Sequence, residues 1–179
     1  LFDAQGTIKD GAKTIKVKGW GYGNRGRFNF MLNEMTSLHT ALRWHKDGVG
    51  FDFHDYRVLP EYGGGWVGVL MVYRNGRLIQ VAQDFKKEVV DYTTEPKTGF
   101  RIPLSYRLTS ERQGVKVAIE FRDVKLSDYN DPLIWLGPVE KYVVSLVSDP
   151  PLDLRFDGRV KMTLISGSET VVLEGPGHG

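Results

Sequence analysis

Apolar and polar side chains alternate along much of the chain, and residues that favour turns separate the alternating runs. The runs 101–108 and 115–122 are the clearest, because every second residue in them is apolar. Alternate side chains of a β-strand point to opposite faces, so each run predicts a strand with one dry and one wet face. Asp47-Gly48 and Asn75-Gly76 lie between such runs and are favoured hairpin turns. About ten strands follow, at a spacing typical of an antiparallel sandwich or barrel.

The sequence predicts little helix. Short helices are expected over 28–36 and 83–90, and 126–138 is expected to be a long loop because it contains Asn130-Asp131-Pro132 and Gly137-Pro138. No low-complexity linker divides the chain, so residues 1–179 are predicted to form a single domain.

The two ends of the chain resemble each other. Phe2-Asp3 precedes a run that ends in Gly19-Trp20-Gly21, and Phe156-Asp157 precedes a run that ends in Gly175-Pro176-Gly177. A duplicated hairpin explains this similarity, and it makes residues 1–27 the closing hairpin of a preceding repeat. Chance similarity between two glycine-rich hairpins, in a chain with 21 glycines, is the alternative.

The hairpin at Asp47-Gly48 carries most of the candidate chemistry. A two-residue turn places Arg43 opposite Asp52 and Ala41 opposite His54, and alternation then sorts the side chains into two faces. One face carries Leu42, Trp44, Phe51 and Phe53, and the other carries His39, Arg43, His45, Asp52, His54 and Tyr56.

Two interpretations of the polar face stay open. If it lines the lumen of a barrel, Asp52 or His54 would act as acid or base, Arg43 would fix a charge, and Tyr56 or Trp44 would stabilise a cation. If it is an ordinary solvated face, Arg43 and Asp52 form a cross-strand ion pair and the aromatic face is the core.

Composition excludes several classes of protein. The chain has no cysteine, which rules out disulfide scaffolds and thiolate metal sites, and no apolar run approaches the about 20 residues of a membrane helix. We expect no metal, because His39 and His45 lie roughly 20 Å apart on one strand, and we expect no cofactor. No signal peptide is visible, which favours the cytoplasm.

A second candidate site lies near the start of the chain. Lys16, Lys18, Trp20 and Tyr22 share one face of a predicted strand, and Arg27 follows. Cations beside flat aromatic rings are typical of surfaces that bind single-stranded nucleic acid or glycans. The net charge of only +2, from 24 Lys+Arg against 22 Asp+Glu, disfavours nucleic acid and favours a glycine-kinked strand with packed aromatic rings.

The order of these motifs resembles a known family. A Phe-x-x-x-Gly hairpin leads to Gly19-x-Gly21-Tyr22, and the next strand ends in Trp44 and Asp47-Gly48. A later strand ends in Arg74-Asn75-Gly76-Arg77, and a Gly-x-Gly-x-Gly strand completes the pattern. This order resembles the AttH-like superfamily of lipocalin-like proteins, which includes carotenoid hydratases and is related to tocopherol cyclases. The resemblance implies barrels, often two in one chain, that enclose a long apolar substrate. The Asp-His pair that follows the family's Gly-Tyr is replaced here by Asn24-Arg25, so only Tyr22 and Trp44, as a wall residue, correspond.

We therefore expect an all-β, antiparallel lipocalin-like (calycin) barrel of about eight to ten strands. Its expected function is to bind a hydrophobic small molecule such as an isoprenoid or polyketide; conversion by hydration or cyclisation is left open. A surface-binding module is the alternative function. The expected partners are the small molecule itself and either a second barrel in a longer chain or a second copy in a homodimer. The expected catalytic residues are Asp52, His54 and Tyr56, and the expected ligand-binding residues are Trp20, Tyr22, His39, Arg43, Trp44, Phe51 and Phe53.

Overall fold

The structure is a computed structural model that describes residues 2–21, 35–96, 99, 101–130, 133–147 and 153–179. Its strands are β1 (Phe2–Asp10), β2 (Lys13–Gly21), β3 (Thr36–Lys46), β4 (Val49–Val58), β5 (Trp66–Arg74), β6 (Arg77–Ala82), β7 (Lys86–Thr94), β8 (Arg101–Arg112), β9 (Val115–Asn130), β10 (Asp153–Ser166) and β11 (Glu169–His178). Among the described residues, a 3₁₀ turn spans Pro60–Tyr62 and an α-helix, α1, spans Pro138–Val147.

Nine strands form one antiparallel sheet in the order β6-β5-β4-β3-β11-β10-β9-β8-β7. β1 and β2 form a separate two-stranded sheet, and the described side chains of residues 5–19 are exposed. The antiparallel all-β class is therefore confirmed. In the described part of the chain the edge strands β6 and β7 do not pair, so hydrogen bonds do not close the nine strands into a barrel.

Two-residue turns set the register of the hairpins. Asp47 and Gly48 both have positive φ, as do Asn75 and Gly76, and this conformation matches the right-handed twist of the flanking strands. Arg43 consequently lies opposite Asp52, and Ala41 lies opposite His54, as the sequence predicts.

The core lies between the two halves of the nine-stranded sheet. Its buried side chains form one cluster, so the sheet curls until strands far apart in the sheet face each other. From β3 to β5 the cluster contains Leu42, Trp44, Val49, Phe51, Phe53, Leu70 and Val72, and from β8 to β10 it contains Tyr106, Leu108, Val115, Val117, Ile119, Phe121, Val160, Met162 and Leu164. The predicted apolar face of the β3–β4 hairpin is thus the core face.

Two predictions about secondary structure differ from the structure. The prediction of a helix over 83–90 is wrong, because β7 begins at Lys86. The loop expected over 126–138 is shorter at its start, because β9 continues to Asn130. The helix expected over 28–36 lies almost wholly outside the described residues.

Candidate functional site

The face of the β3–β4 hairpin that points away from the core carries a polar cluster. Alternation places His39 and Arg43 of β3 beside Asp52, His54 and Tyr56 of β4, and we call these residues the imidazole cluster. Asp52 is 1% exposed and His54 is 6% exposed. Neither open interpretation therefore describes this face fully, since it lies opposite the core and still buries its acid and its central imidazole.

Short polar contacts connect the members of the imidazole cluster. Nε2 of His39 lies 3.0 Å from Nδ1 of His54, and Nε2 of His54 lies 3.2 Å from both Arg43 Nη2 and Asp52 Oδ1. Arg43 Nε is 3.2 Å from the same Asp52 oxygen, in the geometry of an ion pair rather than an aligned hydrogen bond. When Arg43 donates to Nε2 of a neutral His54, Nδ1 of His54 carries the proton and donates to His39.

His39, the outer histidine of the cluster, is partly buried and stacked on Tyr56. The His39 ring lies parallel to the Tyr56 ring, with 4.4 Å between the ring centres. The pKa of His39 lies below its ordinary value of 6.5, chiefly because of partial burial and then because His54 and Arg43 repel a positive charge there. Burial and neighbouring charge therefore favour the neutral form of the His39 imidazole.

We call the boundary between the neighbouring strands β3 and β11 the seam. It lies beside the imidazole cluster, and the two strands are only sparsely paired along it. In the described part of the chain, β3 and β11 share one residue pair, Arg43 with His178. Trp44 Nε1 donates to the carbonyl oxygen of Pro176 at 2.9 Å, so this oxygen faces β3. The nitrogen of a strand residue points to the same side as its oxygen, and proline has no N–H to donate. Pro176 therefore donates no backbone hydrogen bond to β3, and its carbonyl oxygen accepts one from the Trp44 side chain.

The opened seam forms a cleft of about 230 Å³, which we call the seam cleft. It is lined by Arg43, Trp44, His45, Lys46, Gly175, Pro176, Gly177 and His178. Polar contacts bound it: Lys46 Nζ donates to the Glu174 carbonyl oxygen at 2.6 Å, and His178 Nδ1 lies 2.6 Å from Asp157 Oδ1. The seam cleft therefore combines an indole wall with cationic side chains.

The expected site residues divide into three groups. His39, Arg43, Asp52, His54 and Tyr56 meet in the imidazole cluster. Phe51 and Phe53 lie in the core, on the opposite side of the hairpin, whereas Trp44 reaches from the core to the seam cleft. The side chain of Trp20 and the whole of Tyr22 and Arg27 lie outside what the structure describes.

A second polar pair, which no pattern in the sequence predicts, lies at the end of the core away from the Asp47-Gly48 turn. Lys87 Nζ lies 2.5 Å from Asp55 Oδ2, and the two side chains are 13% and 3% exposed. The same nitrogen lies 4.4 Å from the centre of the Trp66 ring and 5.7 Å from those of Phe53 and Tyr106. We call these residues the lysine site. Burial, and then the Asp55 carboxylate, raise the pKa of Tyr106 and keep its hydroxyl neutral.

Neither a metal cluster nor a membrane-spanning helix occurs in the described ranges. No three His, Asp or Glu residues there are grouped closely enough to hold a metal ion. No described helix has the length and apolar character needed to cross a bilayer.

Comparisons with known proteins leave the function open. No protein-family model matches the chain, and no curated protein or solved structure matches it. Fold and site together define an antiparallel β protein with a buried imidazole–carboxylate cluster beside an opened seam. The resemblance to the AttH-like superfamily stays a prediction.

Proposed function

We propose that this protein binds an apolar small molecule at the seam cleft, within a curled, lipocalin-type β wall. The observation that carries the proposal is that Arg43 and Trp44, which point to opposite faces of β3, both line the same cleft. An apolar group packed on the Trp44 indole would bring a polar end of the ligand to Arg43.

The imidazole cluster supports this function by holding Arg43 in place. Asp52 and His54 contact its guanidinium from the buried side, so the cation is fixed before a ligand arrives. A preoriented cation loses less conformational freedom on binding and therefore binds more tightly.

Conversion of the ligand would require a proton to pass between the ligand and His54 or Asp52. Arg43 stands between those two groups and the seam cleft. Binding therefore comes first in our proposal, and hydration or cyclisation would need Arg43 to swing aside.

A fluorescence titration with the neutral apolar dye Nile red tests the proposal. Gly175 lines the cleft, and a Cβ added there would lie 3.6 Å from the Trp44 ring, so Gly175→Val would fill the cleft without a severe clash. We expect this variant to bind the dye at least about tenfold more weakly, a loss of about 1.4 kcal/mol. Gly19→Val is the matched control, because Gly19 also lies on a strand and a Cβ there meets nothing within 4 Å.

Unchanged dye binding by Gly175→Val, in a variant that melts like the wild type, would exclude the seam cleft as the site. The dependence of affinity on salt distinguishes this function from the surface-binding alternative. That alternative rests on Lys16 and Lys18, which are exposed on one face of β2. Affinity for a labelled single-stranded oligonucleotide would fall steeply as salt rises, whereas dye uptake would hardly change.

A further inference from the structure

The lysine site combines a buried charge pair with aromatic rings, and packing alone does not account for it. Removing a lysine and an aspartate from water costs several kcal/mol per ion, and their attraction offsets that cost only in part. Apolar side chains of similar size at positions 55 and 87 would fit beside Phe53 and Tyr106 without that cost. A reactive role for Lys87 and Asp55 therefore accounts for their burial better than a stabilising role does.

The chemistry available to this lysine is addition to a carbonyl group. An amine that is shielded from water and paired with a carboxylate is suited to imine formation, because the carboxylate can accept the proton that the ammonium must lose. Lys87 Nζ and Asp55 Oδ2 are at the distance required for that transfer.

We propose that Lys87 forms an imine with a small apolar aldehyde and that Asp55 serves first as base and then as counter-ion. The Lys87 ammonium gives one proton to the Asp55 carboxylate, and the free amine forms a C–N bond to the carbonyl carbon. The resulting carbinolamine loses its hydroxyl as water when the proton returns. One aldehyde and one ammonium become one protonated imine and one water, with no oxidation or reduction.

The surroundings favour the product of this reaction. The faces of Trp66, Phe53 and Tyr106 stabilise a cation at the position of the imine nitrogen. The low exposure of Lys87 limits the water that would hydrolyse the imine. Trp66 itself is half exposed, so an aromatic or conjugated aldehyde can reach the amine along its ring.

Reductive trapping with cinnamaldehyde tests the proposal. The protein is incubated with cinnamaldehyde and sodium cyanoborohydride, and the labelled peptides are identified by mass spectrometry. Because the chain has no cysteine, thiol addition to the conjugated aldehyde does not compete. Lys87→Arg keeps the cation but cannot form an imine, and Lys86→Arg removes the exposed neighbouring amine as the matched control.

In a time course, we expect residue 87 to be the first lysine labelled in the wild type and in Lys86→Arg. We expect Lys87→Arg to lack this rapid labelling. Labelling that spreads over exposed lysines in proportion to their exposure, or an unchanged rate in Lys87→Arg, would overturn the proposal. In Asp55→Asn the carboxylate that accepts the Lys87 proton is gone, so labelling at residue 87 should slow, and an unchanged rate would rule out Asp55 as the base. Nile red binding by Lys87→Arg should match the wild type, so failure here and failure at the seam cleft can be distinguished.

Discussion

The strongest test of the fold is Phe53→Ala, because Phe53 decides which face of the β3–β4 hairpin is the core. Its side chain is 0% exposed. The ring packs edge-on against Phe85, with 5.4 Å between centres, and lies 6.0 Å from the Tyr106 ring. Truncation to alanine removes these contacts from the buried core.

The expected loss follows from three contributions. Burying a phenylalanine side chain is worth about 1.5–3 kcal/mol. The aromatic pairs add about 0.5–1.5 kcal/mol each, and the cavity left behind adds more because the neighbours relax only partly. We therefore expect Phe53→Ala to lower the free energy of unfolding by about 3–5 kcal/mol.

Urea denaturation followed by tryptophan fluorescence measures this change. The midpoint should fall while the slope stays near the wild-type value, since the same surface is exposed on unfolding. Val67→Ala, which truncates a side chain that is 59% exposed on the adjacent strand β5, should shift stability by less than about 0.5 kcal/mol. A loss for Phe53→Ala as small as that of the control would refute the assignment of the core face.

Three further predictions concern the imidazole cluster and the strand next to the seam cleft. Asp52→Ala should cost about 1–3 kcal/mol in urea denaturation, because it leaves the partly exposed Arg43 beside a buried gap; no loss would show that the pair is incidental. The lowered pKa of His39 means that the unfolded chain binds its proton more tightly, so stability should fall as pH drops below 6.5, and His39→Gln should flatten that part of the profile. Gly177→Ala should lower the melting temperature because the new Cβ would overlap the Val160 side chain, and Val160→Ala in the same chain should restore part of the loss.

Local signals predict the β3–β4 hairpin well. The pair Asp47-Gly48 has one favoured turn geometry, and this geometry alone fixes the register that places Arg43 opposite Asp52. Period-two alternation then separates the core face from the imidazole cluster. Both signals operate over a few residues, so a single sequence contains them completely.

The helix α1 begins where the sequence predicts the end of a loop. Pro138 stands at its first position, and the apolar residues Val139, Tyr142, Val143 and Leu146 recur at helical spacing. Gly137-Pro138 is compatible both with the end of the loop predicted over 126–138 and with the start of a helix, so the two signals compete. All four apolar side chains are exposed, so packing against the core does not contribute to the pattern.

Both candidate sites depend on contacts that no local pattern encodes. Asp55 interrupts the apolar face of β4, which is a local sign that it needs a buried partner, yet its partner Lys87 lies 32 positions away on a strand at the sheet edge. The Trp44 bond to Pro176 spans 132 positions and exists only because the chain's last strand docks beside β3. A proline in a predicted strand indicates that one ladder hydrogen bond is missing, but not which neighbour loses it. The sequence therefore identifies residues that are unusual in a strand, such as Asp55 and Pro176. Only the fold shows which side chains bind them, here Lys87 and Trp44.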